Sequence, residues 1–86
     1  MHYIYLARCA DGSLYTGYTT DLEKREMVHN SGKGAAYTRS RLPIKIVYSE
    51  VFSTRSQAMK REYEIKQFTK KKKEELVSGR ATLNIG

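Results

Sequence analysis

Two short runs of strand-forming residues, Tyr3 to Cys9 (YIYLARC) and Ser13 to Thr19 (SLYTGYT), stand on either side of Ala10-Asp11-Gly12. Aromatic and β-branched residues suit the pleated surface of a sheet, and Asp-Gly between two such runs signals a hairpin. The hairpin constrains the rest of the chain, because its loop length decides which side chains share a face. A two-residue Asp11-Gly12 turn pairs Tyr5 with Tyr18, whereas a three-residue loop with Gly12 left-handed pairs Tyr5 with Gly17. Side chains alternate with period two along a strand, so only the second register puts Tyr5 and Tyr15 on one face.

Beyond the hairpin, Thr20-Asp21-Leu22-Glu23 has the form of a capping box, with Thr20 at the N-cap and Glu23 at N3. It predicts a helix from about Asp21 to Asn30. Ser31 to Pro43 (SGKGAAYTRSRLP) carries two Gly, one Pro and three basic residues and reads as a loop. Ile44 to Phe52 (IKIVYSEVF) is the third strand, expected to be antiparallel. Ser53 or Thr54 caps a second helix that runs to about Phe68, with Gln57 as a reciprocal partner. Thr69 caps a third helix that stops near Gly79, and the tail from Arg80 to Gly86 is expected to fray. The order β-β-α-β-α-α predicts an α+β fold: a small three-stranded antiparallel sheet flanked by helices, with residues 1–86 as a single domain.

Composition narrows the function classes. Cys9 is the one cysteine, so no intrachain disulfide forms, and with two His it cannot complete a zinc cluster. No apolar run reaches the ~18 residues that span a bilayer, and no signal-peptide core opens the chain, so a cytoplasmic, soluble protein is expected. Sixteen Lys plus Arg against nine Asp plus Glu give a net charge of +7, which points to a polyanionic partner, most often nucleic acid.

Four features place polar residues where apolar ones are expected. On a helical wheel Leu22, Arg25, Val28 and His29 share one arc, so an Arg and a His spaced i, i+4 lie on the face meant for the sheet. They either sit at the helix edge in water, with His29 alternatively a satisfied core histidine, or serve a function. Glu62 lies among Ala58, Met59 and Ile65; it pairs with Lys66 one turn on, or it is a metal ligand or catalytic acid. Tyr3, Tyr5, Tyr15 and Tyr18 crowd the hairpin, as strand packing or as functional phenols. Lys70-Lys71-Lys72-Lys73 opens a helix, where each cation opposes the macrodipole by about 0.3–1 kcal/mol at most. That penalty favours an anion-binding patch over a merely solvated charge run.

Taken together these positions resemble the GIY-YIG nuclease superfamily. Tyr3-Ile4-Tyr5 is similar to its first signature, and Tyr15-Thr16-Gly17 to its second. Arg25 and His29 match its helix-borne Arg and the His four residues later, and Glu62 its single acidic metal ligand. His29-Asn30 and Gly32 to Thr38 (GKGAAYT) resemble the small stand-alone branch. Tyr3 stands where the superfamily usually has Gly, and Thr16 where it often has Ile. The bracing Asn that several members carry after the Glu has Asn84 as its one candidate, and that role is not carried over.

The resemblance implies hydrolysis of a phosphodiester with one divalent ion, Mg²⁺ or Mn²⁺, held by Glu62. It implies Arg25 on the phosphate, and Tyr5 orienting the attacking water, or accepting its proton if nearby cations lower a phenol pKa of ~10. His29 would relay that proton or hydrogen-bond Tyr5. Tyr15 would stand beside Tyr5, which requires the three-residue hairpin loop. Gly17 and Asn30 would shape the site. Lys33, Arg39, Arg41, Lys70, Lys71, Lys72 and Lys73 would contact phosphates, and Tyr37 would stack on a base. The substrate expected is DNA, single-stranded or branched, without sequence specificity and with a protein partner as one source of selectivity. The alternative is a catalytically silent or partner-dependent nucleic-acid-binding module on the same fold.

Overall fold

In the computed structural model, which describes residues 1–79, the hairpin takes the longer loop. Strand β1 (His2–Arg8) pairs antiparallel with β2 (Leu14–Thr19), setting Tyr5 opposite Gly17 and Ala7 opposite Tyr15. The Cys9 amide donates to the Ser13 carbonyl at 2.9 Å, which closes Ala10-Asp11-Gly12 as the loop. Gly12 has φ +86°, a left-handed value that a side chain disfavours. The Asp11 carboxylate fixes the turn by accepting from the Ser13 amide at 3.0 Å and the Ser13 hydroxyl at 2.6 Å.

Strand β3 (Lys45–Phe52) pairs antiparallel with the other side of β1, giving the sheet order β2-β1-β3. The central strand is therefore paired along both edges, helices cover both its faces, and Ile4, Tyr5, Leu6 and Ala7 are all fully buried. On one face Ile4, Leu6 and Leu14 pack against Ala58 and Ile65 of helix α3 (Arg55–Lys66), with Phe68 and Leu76 beside them. Each such aliphatic side chain contributes about 1.5–3 kcal/mol on burial. On the other face Tyr5, Ala7, Cys9 and Ile44 meet Leu22 and Leu42, under helix α1 (Leu22–Val28). Helix α4 (Lys70–Ser78) is tied to the hairpin by Arg8, whose guanidinium grips Glu74 through two nitrogens. No described helix is long and apolar enough to cross a membrane.

Several expectations shift. The capping box does not form: Asp21, not Thr20, is the N-cap and accepts from the Lys24 amide at 3.1 Å. Thr19 holds the Asp21 amide at 3.1 Å, so the carboxylate reaches the helix start without Thr20. The first helix does not end at Asn30. It widens into a π turn over His29–Lys33 that Gly32, at φ +84°, terminates. The expected loop from Ser31 to Pro43 contains a further turn of helix, α2 (Ala36–Arg39), stabilised by the Thr38 hydroxyl donating to the Ala35 carbonyl at 2.9 Å. Thr54 rather than Ser53 caps α3, which stops at Lys66 short of Phe68. Thr69 caps α4 and Gly79 closes it at φ +79°, as expected. The tail from Arg80 and the candidate Asn84 lie outside the described residues.

Candidate active site

The site grows from the middle of β1. The Tyr5 side chain lies on the α1 face of the sheet, fully buried, with its phenol over Gly17 of β2. A methyl group at position 17 would stand 2.9 Å from Tyr5 Cε1 and closer still to the hydroxyl end. Only glycine leaves the phenol its place.

Helix α1 and the π turn that continues it lay Arg25 and His29 over that phenol. Tyr5 Oη lies 2.7 Å from His29 Nε2, and Arg25 Nε donates to the same oxygen at 3.3 Å. His29 is fully buried, so the reading that puts it at a helix edge in water does not hold. Its other nitrogen, Nδ1, lies 2.9 Å from Thr38 Oγ1. Thr38 donates its own proton to the Ala35 carbonyl, so its oxygen receives one from Nδ1. With the Thr38 proton on the Ala35 carbonyl, the ring proton sits on Nδ1 and the Nε2 lone pair accepts from Tyr5. Gly34 passes so close to His29 that a methyl there would come 2.9 Å from its Cα.

Burial pushes the Tyr5 phenol above its ordinary value; Arg25 pulls it down but does not prevail, and the Tyr15 and Glu62 charges push with burial. The expectation that cations lower this pKa is reversed, because desolvation outweighs one guanidinium at 3.3 Å. Burial, and after it Arg25, holds His29 below its usual range. At neutral pH the pair is a neutral phenol donating to a neutral imidazole.

Tyr15 closes the group, its ring centroid 5.5 Å from His29 and 6.3 Å from Tyr5. Tyr37, 41% exposed, stacks on Tyr15 at 6.0 Å, and the Arg41 guanidinium lies 3.9 Å over its ring. Arg41 is also held by the Asp11 carboxylate at 3.1 Å and donates to the Tyr37 carbonyl at 2.7 Å, so it clips the hairpin loop to α2. Asn30 works as a clamp, donating to the Ile44 carbonyl at 3.0 Å and accepting from the Ile44 amide at 2.7 Å. These two hydrogen bonds tie the π turn behind His29 to the start of β3. Lys33 and Arg39 stand exposed on the π turn and α2, as do Lys70, Lys71 and Lys72 on α4, while Lys73 is partly buried.

Glu62 stands on α3, and its charge raises the Tyr5 phenol, the last among the causes acting on it. Its side chain is 19% exposed; Lys66 Nζ lies 3.8 Å from Oε2, too long for a hydrogen bond, so the i, i+4 pairing forms only loosely. No group of three or more His, Cys, Asp or Glu able to hold a metal occurs among the described residues. A lone, partly exposed carboxylate suits a hard cation that keeps most of its waters, such as Mg²⁺, and not a thiolate- or imidazole-seeking one.

Two contributors escaped sequence reasoning. Thr38 sets the His29 tautomer, yet its only sequence signal is a hydroxyl three residues after Ala35 in a stretch that reads as loop. Glu26 accepts from the Ile46 amide at 3.1 Å and so docks α1 on β3; a lone surface acid carries no such message.

The family model described as the GIY-YIG catalytic domain matches residues 1–75. A UPF0213 protein of Staphylococcus saprophyticus is 58% identical over 77 residues, covering 90% of this chain and 94% of that protein. A UPF0213 protein of Haloquadratum walsbyi is 52% identical over 83 residues, covering 96% and 93%. The solution NMR structure of a UPF0213 protein from Bacillus halodurans matches with 52% identity and a TM-score of 0.58 over 90% of this chain and 82% of that one. That of a protein from E. faecalis matches with 42% identity and a TM-score of 0.61 over 99% and 88%.

Proposed function

The chain belongs to the GIY-YIG catalytic-domain family, a nuclease family, and from that premise we propose that it hydrolyses nucleic-acid phosphodiesters with Tyr5, Tyr15, Arg25, His29 and Glu62. The observation that carries this reading is the hydrogen-bonded chain from Arg25 through Tyr5 and His29 to Thr38, which, with Thr38 donating to the Ala35 carbonyl, runs in the direction from Tyr5 to His29.

The chemistry follows from that direction. A phenol held above its usual pKa is a poor free base, but it need not ionise first. As a water oxygen attacks phosphorus, its proton passes to Tyr5 Oη while the Tyr5 proton passes to His29 Nε2. His29 becomes the imidazolium, the bond to the leaving oxygen breaks, and no isolated phenolate forms. The terminal nitrogens of Arg25 have no hydrogen-bond partner among the described residues, so they are available to fork onto the phosphate and offset its developing charge. Tyr15, less buried than Tyr5, orders the water or the phosphate. One Mg²⁺ or Mn²⁺ on Glu62 would supply stabilisation of the leaving oxygen.

The substrate proposed is DNA, single-stranded or branched. The supporting features are the net charge of +7 and exposed lysines, which contact phosphates rather than base edges. The test is cleavage of labelled single-stranded DNA, duplex, flap and RNA in Mg²⁺, Mn²⁺ and EDTA, with Glu62→Ala beside the wild type. Metal-dependent cutting that vanishes in Glu62→Ala supports the reading. A second reading, a binding module that cuts nothing or cuts only with a protein partner, draws on the full burial of Tyr5 and the contact of Lys66 with Glu62. Binding without cutting in any metal, unchanged in Glu62→Ala, would select it.

A further inference from the structure

Beside the tyrosines lies a cavity of about 270 Å³, lined by Leu14, Tyr15 and Thr16 of β2, Tyr37 of α2, Lys66 of α3 and Lys73 of α4. Strand β2 is an edge strand, and Tyr15 and Thr16 point to opposite faces of it, so the cavity wraps around the sheet edge. One wall is the stacked Tyr15–Tyr37 pair. The other is cationic.

The cationic wall differs from a solvated charge run in three ways. Thr16 is 3% exposed, and among the described residues its hydroxyl is the buried side-chain polar atom without a hydrogen-bond partner. Native chains rarely leave such a group unpaired. Lys73 is partly buried and makes no ion pair among the described residues, and Lys66 stands close enough to help burial pull it below its usual pKa. None of the six lining residues is acidic. The lining thus brings Thr16, Lys66 and Lys73 together with no carboxylate among the six residues, and only Lys66 has a carboxylate near it, Glu62 at 3.8 Å.

We propose that this cavity is a phosphate subsite, in which Thr16, Lys66 and Lys73 hold an internucleotide phosphate adjacent to the one met by Arg25, with its nucleoside against Tyr15 and Tyr37. The identity of the strand rests on the nuclease reading; the affinity for phosphate does not. Lys66 links the two, because it stands 3.8 Å from Glu62 and a strand phosphate draws it away from that carboxylate.

The test uses the ¹⁵N-labelled chain in EDTA, titrated with inorganic phosphate and then with tetrathymidylate. Phosphate should give saturable shifts at the amides of residues 14–16 and 73, and tetrathymidylate should compete for them. Lys73→Met should abolish saturation, while Lys60→Met, the same charge change on the exposed side of α3, should leave it unchanged. Thr16→Val should weaken phosphate at least threefold and yet raise the melting temperature, since it deletes an unpaired buried hydroxyl. Shifts without saturation, equal losses in Lys60→Met and Lys73→Met, or a stabilised Thr16→Val with unchanged affinity would overturn the subsite. Phosphate binding that tetrathymidylate does not displace would overturn its assignment to a strand. Because no metal and no cleavage enter, a chain that cuts nothing can still show the subsite, and a chain that cuts can still lack it.

Discussion

Replacing Thr38 by valine tests the proton path at the point farthest from any substrate. The swap keeps the side-chain shape and deletes one hydroxyl, which is fully buried and stands between His29 Nδ1 and the Ala35 carbonyl, 2.9 Å from each. The carbonyl does not become an orphan, because it still accepts from the amides of Thr38 at 3.1 Å and Arg39 at 3.2 Å. His29 Nδ1–H does lose its acceptor. A buried donor left unpaired costs about 1–3 kcal/mol, and in a domain of this size each kcal/mol moves the melting temperature by about 4–8 °C. Thr38→Val should therefore melt roughly 4–24 °C below the wild type.

The same substitution acts on the chemistry. With Nδ1–H unpaired, the ring gains by moving its proton to Nε2, and Nε2 then confronts the Tyr5 hydroxyl as a second donor. The relay loses its acceptor, so any cleavage should fall by about 100-fold or more, the scale of losing a general base. The assay is ¹⁵N NMR of the His29 ring beside thermal unfolding by circular dichroism: the wild type should show the proton on Nδ1 at neutral pH, and Thr38→Val should show Nε2–H or a mixture. A wild-type ring protonated at Nε2, or a Thr38→Val melting point within ~2 °C of the parent, where the smallest expected loss is ~4 °C, would refute the chain of bonds.

Gly17→Ala drives a methyl to 2.9 Å from Tyr5 Cε1; overpacking of this kind costs about 1–3 kcal/mol, and calorimetry should show that loss together with loss of cleavage. His29 is held below its ordinary value near 6.5, so between its folded value and about pH 6.5 the unfolded chain binds the extra proton. Its contribution to stability is complete above about pH 6.5 and shrinks as pH falls below that, so urea unfolding should weaken from pH 7.5 to 5.5 in the wild type and not in His29→Gln. Arg25→Met removes one of the two forces lowering His29, and the His29 Cε1 proton should then titrate at higher pH. If Lys70, Lys71 and Lys72 each meet a phosphate, changing all three to Gln should reduce the slope of log affinity against log salt by about 2 on single-stranded DNA, read by fluorescence anisotropy in EDTA.

Much of the scaffold was legible because it depends on local chemistry. The Gly12 loop, the Thr54 and Thr69 caps and the Gly79 stop each need one residue type at one place, and each formed. The capping box at Thr20 did not, since Asp21 one residue on is as good a cap and better placed after β2. The stretch from Ser31 to Pro43 hid the most. Its Gly residues read as loop, but Gly32 ends a π turn, Gly34 makes room for His29, and α2 between them carries Thr38. A residue whose role is to hold another residue's tautomer has no periodicity of its own, so sequence patterning cannot find it.

The reversal at Tyr5 has the same origin. From the sequence, a tyrosine among cations is a candidate for a lowered pKa; in the fold, the central position of β1 that aims it at His29 also strips it of water, and desolvation prevails. The two effects cannot be separated, because the strand that gives Tyr5 a fixed geometry is the strand buried on both faces. A base made in this way works only with a second acceptor behind it, and the full burial of His29, with its proton on Nδ1, supplies one. In the proposed mechanism the reactivity of Tyr5 is thus set by Thr38 and Ala35 on the far side of the imidazole, and a phenol in the same strand without that support would be a packing residue.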